Sequence, residues 1–224
     1  MAKGKLIVLE GIDGSGKSAQ YRRICSKLER DGIDYNHIVF PRYDKDSSAL
    51  IRMYLGGAFG THPDDVNAYT ASTFFAVDRF ASYKDDWGKK YEAGRTFISD
   101  RYTTSNAVHQ GSKLSEDELE DFFKWLADLE YNKMGLPKPD KVIYLEVDVA
   151  TSFQRMKHRQ SVTNTKADIH ETDPKYLEKC LITAEKAADY FGWERIPFKK
   201  NGAERAVDEK NEEIYSIILK AIKE

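Results

Sequence analysis

Residues 11–18 read Gly11-Ile12-Asp13-Gly14-Ser15-Gly16-Lys17-Ser18, the spacing G-x-x-x-x-G-K-S. The motif follows an apolar run from Lys5 to Leu9. It opens a stretch, Ser18 to Asp31, in which Tyr21, Ile24, Cys25 and Leu28 recur at helical spacing. A glycine-rich turn between a buried strand and a helix directs successive backbone N–H groups at phosphate oxygens, and the helix N-terminus adds partial positive charge. In this arrangement Lys17 reaches the terminal phosphates and the Ser18 hydroxyl ligates Mg²⁺. A loop of this kind needs a strand behind it and a helix in front, which restricts the chain to an α/β architecture.

The remaining elements agree. Strands are expected at Tyr35–Phe40, Thr96–Ser99, Lys141–Val147 and Glu194–Phe198, separated by helical patterns. Ser47 is expected to cap a short helix ending at Gly56-Gly57, and His62-Pro63-Asp64-Asp65 to open a helix that runs, with a kink, toward Gly94. Ser115 to Glu118 fits a capping box, and Asp148 caps a helix through about Gln160. Asp173-Pro174 opens another helix, and Ile214, Ile217, Ile218, Ala221 and Ile222 stripe the last. Apolar strands alternating with helices imply a five-stranded parallel sheet with helices on both faces. With 224 residues the chain suits a single domain, and the polar segment at about 155–172 is a candidate lid.

Charge and cysteine content narrow the function. With 35 basic and 37 acidic residues the net charge is −2, which leaves no footprint for nucleic acid or a membrane surface. No apolar run approaches the ~18 residues of a membrane span. Two cysteines and an N-terminus without a signal peptide point to a reduced, cytoplasmic setting. The loop alone does not name a reaction. Asn132-Lys133-Met134-Gly135 begins like a guanine reader, but it lacks the final aspartate and a preceding strand.

Four further features converge. Asp13 lies inside the loop, and Phe75 and Arg79 stand four apart on one helix face. Asp100-Arg101-Tyr102 follows a strand at the edge where α/β sheets bind ligands, and Arg155 and Arg159 are also four apart. With Phe40-Pro41-Arg42-Tyr43, Ser105-Asn106 and Gly135-Leu136-Pro137-Lys138-Pro139-Asp140, these segments resemble the thymidylate kinase family nearly end to end.

That resemblance implies a P-loop kinase fold with a short lid, ATP and dTMP as substrates, Mg²⁺ as cofactor and a homodimer. It implies that Phe75 stacks on thymine while Arg79 and Asn106 bond its polar edge. Arg101 would hold the dTMP phosphate, Asp13 the 3′-hydroxyl or a nearby water, and Asp100 would lie close to Mg²⁺ with Ser18. Phe40, Ser105 and Gln110 belong to the same substrate segments, and either Arg42 or Tyr43 meets the phosphate. His109 falls where the family often has an aromatic guarding the 2′ side of the sugar. Family members supply an arginine for the transferring group from the loop or from the lid. The loop position here is Gly14, so Arg155 and Arg159 are the candidates, beside Lys17, Arg101 and Asp13. Adenine is expected near the Lys200-Asn201-Gly202 backbone. The rival readings are a deoxynucleoside kinase, for which Asp13 would be the base, and a low-turnover nucleotide-binding regulatory protein.

Overall fold

The computed structural model describes residues 3–163 and 174–223. At its centre is β1 (Leu6–Glu10), buried along its whole length. It lies parallel to β3 (Phe97–Asp100) on one side and β4 (Lys141–Leu145) on the other. With β2 (Asn36–Val39) and β5 (Glu194–Ile196) at the edges, the sheet order is β2-β3-β1-β4-β5, all parallel. Register places Leu9 beside Asp100 and Ile143, so the strands end together at one carboxyl edge.

Side chains alternate across a strand, so β1 feeds two cores. Leu6 and Val8 join Trp87, Phe97, Phe122, Phe123 and Tyr144 on one face. Ile7 and Leu9 join Ile98 and Ile143 on the other, where α1 (Lys17–Arg30) brings Ile24 and Leu28 and α9 (Val207–Lys223) brings Ile214 and Ile218. A central strand covered on both faces reads as an unbroken apolar run.

The first face is covered by α3 (Ala68–Ser82), α4 (Gly88–Glu92), α5 (Thr103–His109), α6 (Leu119–Ala127) and α8 (Pro174–Phe191). The expected kink between α3 and α4 is a π-helical segment, Tyr83–Trp87, which turns buried Trp87 into the core. Asn67 caps α3 by accepting from the Thr70 amide at 2.8 Å. The Ser115–Glu118 capping box is present, and Asp148 accepts from the Thr151 amide at 2.8 Å ahead of α7 (Val149–Thr163).

Some local expectations differ. Ser47 does not cap α2 (Ala49–Leu55); its hydroxyl donates to Asp78 Oδ1, and a 3-10 turn, Asp46–Ser48, leads into the helix. A carboxylate on a packed helix outcompetes the helix end for that hydroxyl. β5 stops at Ile196, and an antiparallel hairpin follows, β6 (Lys199–Lys200) with β7 (Ala203–Glu204). Its turn residues, Asn201 at φ 52° and Gly202 at φ 80°, adopt the left-handed conformation that tight hairpins require. The candidate lid begins inside α7; residues 164–172 of it lie outside the described residues. No helix among the described residues is long and apolar enough to cross a membrane.

Candidate active site at the carboxyl edge of the sheet

A cavity of about 510 Å³ opens where β1 and β3 end. Its floor is the loop that precedes α1. Gly14 has φ 76°, and a Cβ there would stand 2.3 Å from the Ser152 carbonyl on α7. A side chain at this position is therefore excluded twice, by conformation and by the close approach of α7. Ser152 fixes that approach by donating to the Asp13 carbonyl. Lys17, 5% exposed, is ion-paired with Asp100 at the end of β3. Burial, then Arg101, pushes the Lys17 ammonium below its ordinary value, against the pull of Asp100. Ser18 is exposed on the first turn of α1, and the buried Ser15 hydroxyl has no hydrogen-bond partner.

Arg101 lines the same cavity. Its backbone is left-handed, φ 66°, a conformation that costs a non-glycine residue about 1–3 kcal/mol. Its guanidinium donates to Asp13 Oδ1 at 2.7 Å and to Ser105 Oγ at 3.3 Å, meets His109 Nε2 at 3.1 Å, and stands 3.6 Å from Glu10 Oε1. Glu10 is fully buried at the end of β1 and accepts from Thr104, from Ser105 at 2.7 Å and from the Gly11 amide at 2.9 Å. Burial opposes ionisation of Asp13, but the cationic surroundings, Arg101 foremost, together hold the carboxyl far below the usual carboxylate range.

From α3, half-buried Phe75 also lines the cavity and packs edge-on against Tyr54, ring centres 6.4 Å apart. Arg79, 2% exposed, grips Glu130 through two N–H groups, with Nε–Oε2 at 2.6 Å, and a third reaches the Tyr102 carbonyl at 3.4 Å. Asn106 Nδ2 donates to the Ser72 carbonyl at 3.0 Å and to Glu130 at 3.3 Å. Gln110 Oε1 is buried without a hydrogen-bond partner. From α7, Arg155 Nη1 donates to the Gly14 carbonyl at 3.2 Å while Nη2 pairs with Glu204 of the hairpin; Arg159 is exposed at the cavity wall.

The expected residues thus come together, Gly11 and Arg42 excepted. Both are absent from the cavity wall. Arg42 turns instead to Asp78, its amide 2.9 Å from Oδ2, and to Ser47 at 3.2 Å, whereas Phe40 and Tyr43 line the cavity. Sequence reasoning missed Glu10, Asp78 and Glu130, the carboxylates that hold these arginines. Glu10 alone had a local signal, as the charged last residue of an apolar strand.

His109 gives the site a pH signature. Burial first, then Arg101, pushes it from 6.5 down to about 4, so unfolding takes up a proton between those values. The stability tied to neutral His109 is complete above pH 6.5 and lost as pH falls toward 4. Melting temperatures of His109→Gln should therefore fall less steeply across that window than those of the wild type; identical slopes would contradict the assignment.

The site agrees with what the chain resembles. The family model for thymidylate kinase matches residues 9–214. Two thymidylate kinases of Mycobacterium tuberculosis, from strains CDC 1551 / Oshkosh and ATCC 25618 / H37Rv, are each 30% identical over 193 residues, spanning 84% of this chain and 87% of theirs. The solved structure of a thymidylate kinase from Candida albicans shares the fold, with a TM-score of 0.68 over 98% of this chain and 93% of that one, at 20% identity. On its sequence and its fold, with a glycine-rich loop carrying Lys17 and the guanidinium of Arg101 facing one cavity, this chain belongs to the thymidylate kinase family.

Proposed function

We propose that this protein transfers the terminal phosphoryl group of ATP to the phosphate of dTMP, giving ADP and dTDP. The observation that carries this reading is the presence, in one cavity, of the loop with Lys17, of a second anchored cation, Arg101, and of Phe75. ATP phosphates would lie on the loop and the acceptor phosphate on Arg101, with thymine against Phe75. The remaining N–H groups of Arg79, Asn106 and the unpartnered Gln110 Oε1 would meet the polar edge of the base. His109 and Tyr43 would border the sugar and its phosphate. Adenine would lie toward the hairpin, which Glu204 ties to Arg155.

A phosphate acceptor has a second pKa near ~6 and is largely ionised at neutral pH, so no strong base is required. Catalysis then consists of alignment and charge neutralisation. Lys17, Arg155 and Arg159 would offset the charge of the transferring group. The rival acceptor, a sugar hydroxyl, needs a base. Asp13 is the carboxyl placed for that, and Arg101 holds its pKa too low for the task.

Mg²⁺ suits the residues present. It binds through one or two protein oxygens together with substrate phosphates and water, and the exposed Ser18 hydroxyl and the Asp100 carboxylate, which pairs with Lys17, line the same cavity. The metal would supply charge neutralisation across the phosphates. Two free cysteines suit a cytoplasmic setting.

The chain is also proposed to pair as a homodimer. Supporting this, α2 and α3 expose Leu50, Met53, Tyr69 and Val77, each between 39% and 48% accessible. Sedimentation should give the mass of two chains; a single-chain mass at micromolar concentration would contradict it. For the clamp, Arg101→Ala should weaken dTMP roughly 10- to 100-fold and ATP far less, because a charge-assisted contact contributes about 1.5–3 kcal/mol. Equal loss for both nucleotides in a variant that melts normally would rule the clamp out.

A further inference from the structure

Next to Arg101, joined to it through His109, lies a buried polar ring. His109 ends α5, Ser112 follows in the next turn, and Cys180 comes from α8, 71 residues beyond His109. All three are at most 7% exposed. His109 Nδ1 stands 3.6 Å from Cys180 Sγ, Cys180 Sγ lies 3.4 Å from Ser112 Oγ, and Ser112 Oγ donates to the His109 carbonyl at 2.9 Å.

The direction of every proton in this ring follows from Arg101. A guanidinium only donates. Its Nη1 is 3.1 Å from His109 Nε2, so that nitrogen carries the lone pair and the neutral ring carries its proton on Nδ1. The Nδ1–H then points at Cys180 Sγ, which accepts it. The thiol donates onward to Ser112 Oγ, and the Ser112 hydroxyl to the His109 carbonyl. Each group spends one proton, and the opposite tautomer would set two N–H groups against each other at Arg101. Burial agrees with neutral partners throughout, holding His109 down at about 4 and lifting the Cys180 thiol to about 12.

We propose that Cys180 is a positioning residue for the acceptor-phosphate clamp: by accepting the Nδ1 proton it fixes the His109 tautomer whose Nε2 orients Arg101. The helix that carries Cys180 is itself pinned to the same turn. Tyr176, one helical turn earlier, donates to the His109 carbonyl at 2.9 Å. Gly111 lets α8 approach so closely that an added Cβ would meet the Thr183 methyl at 3.0 Å. The clamp is thus registered against α8 as well as against β1 and the loop.

This inference rests on Arg101 as the clamp for the dTMP phosphate, and the experiment separates the two. Dissociation constants for dTMP and for thymidine, which lacks the phosphate, are measured by calorimetry on wild type, Cys180→Ala and Cys180→Ser. The His109 tautomer is read from ¹⁵N–¹H correlation spectra of the wild type. The expected result is an Nδ1–H tautomer, dTMP binding weakened about three- to tenfold in Cys180→Ala, thymidine binding unchanged, and an intermediate loss in Cys180→Ser. An Nε2–H tautomer overturns the inference, as does an equal loss for dTMP and thymidine, or no loss for either. Wild type that binds thymidine as tightly as dTMP removes the clamp itself. A preserved preference for dTMP with an unaffected Cys180→Ala leaves the clamp and removes Cys180 from it. Where the alanine variant fails to fold, Cys180→Ser decides the inference: a loss for dTMP with thymidine unchanged supports it, and no loss, or an equal loss for both ligands, overturns it.

Discussion

A guanidinium held in the interior at the end of β3 is the constraint on which the rest of the site depends. Burying a charge is costly unless partners surround it, and Arg101 obtains its partners from three different segments. Glu10 comes from the end of β1, Asp13 from the loop, and Ser105 with His109 from α5. These can meet only if β1 and β3 are neighbours in the register that sets Leu9 beside Asp100. The left-handed backbone of Arg101, with its amide bonded to the Leu9 carbonyl at 3.1 Å, then turns the side chain back over the loop. The strain is local, and its result is a fixed positive charge beside the loop that carries Lys17.

The same device recurs around the cavity. Glu130 holds Arg79, Asp78 holds the Arg42 segment, Asp100 holds Lys17 and Glu204 holds Arg155. In each case a carboxylate from another element fixes the position of a cation, and a fixed charge need not reorganise as the reaction proceeds. The two cores make this rigidity possible. Ile7 and Leu9 seat β1 against α1 and α9, while Leu6 and Val8 seat it against the layer that contains α3, α5 and α6. The elements that carry the cations are thereby packed before any substrate arrives.

The parts legible in the sequence are those written locally. The loop spacing, the apolar run of β1, the Ser115 capping box and the Phe75–Arg79 helix face each depend on residues within a turn or two of one another. The partnerships are not local: Arg79 and Glu130 are 51 residues apart, Arg42 and Asp78 are 36 apart, and no short-range pattern joins them. This is also why Arg42 and Tyr43 stood as equal candidates for the phosphate. Only the packing of α3 shows that Asp78 draws Arg42 aside and leaves Tyr43 at the cavity. The β6–β7 hairpin did have a local mark, the Asn201-Gly202 pair, but strands of two residues each, Lys199-Lys200 and Ala203-Glu204, are too short to carry the apolar alternation by which to recognise them.

The central claim is that the site is built for two phosphate-bearing ligands, one on the loop and one on Arg101. The most direct measurement is ADP release from ATP with Mg²⁺, compared among dTMP, thymidine, dUMP and no acceptor. The account predicts rapid release with dTMP and only background release with thymidine or with no acceptor, because a 5′-hydroxyl presents no anion to Arg101 and finds no competent base in Asp13. Thymidine turning over as well as dTMP, or release that is independent of any acceptor, would contradict it.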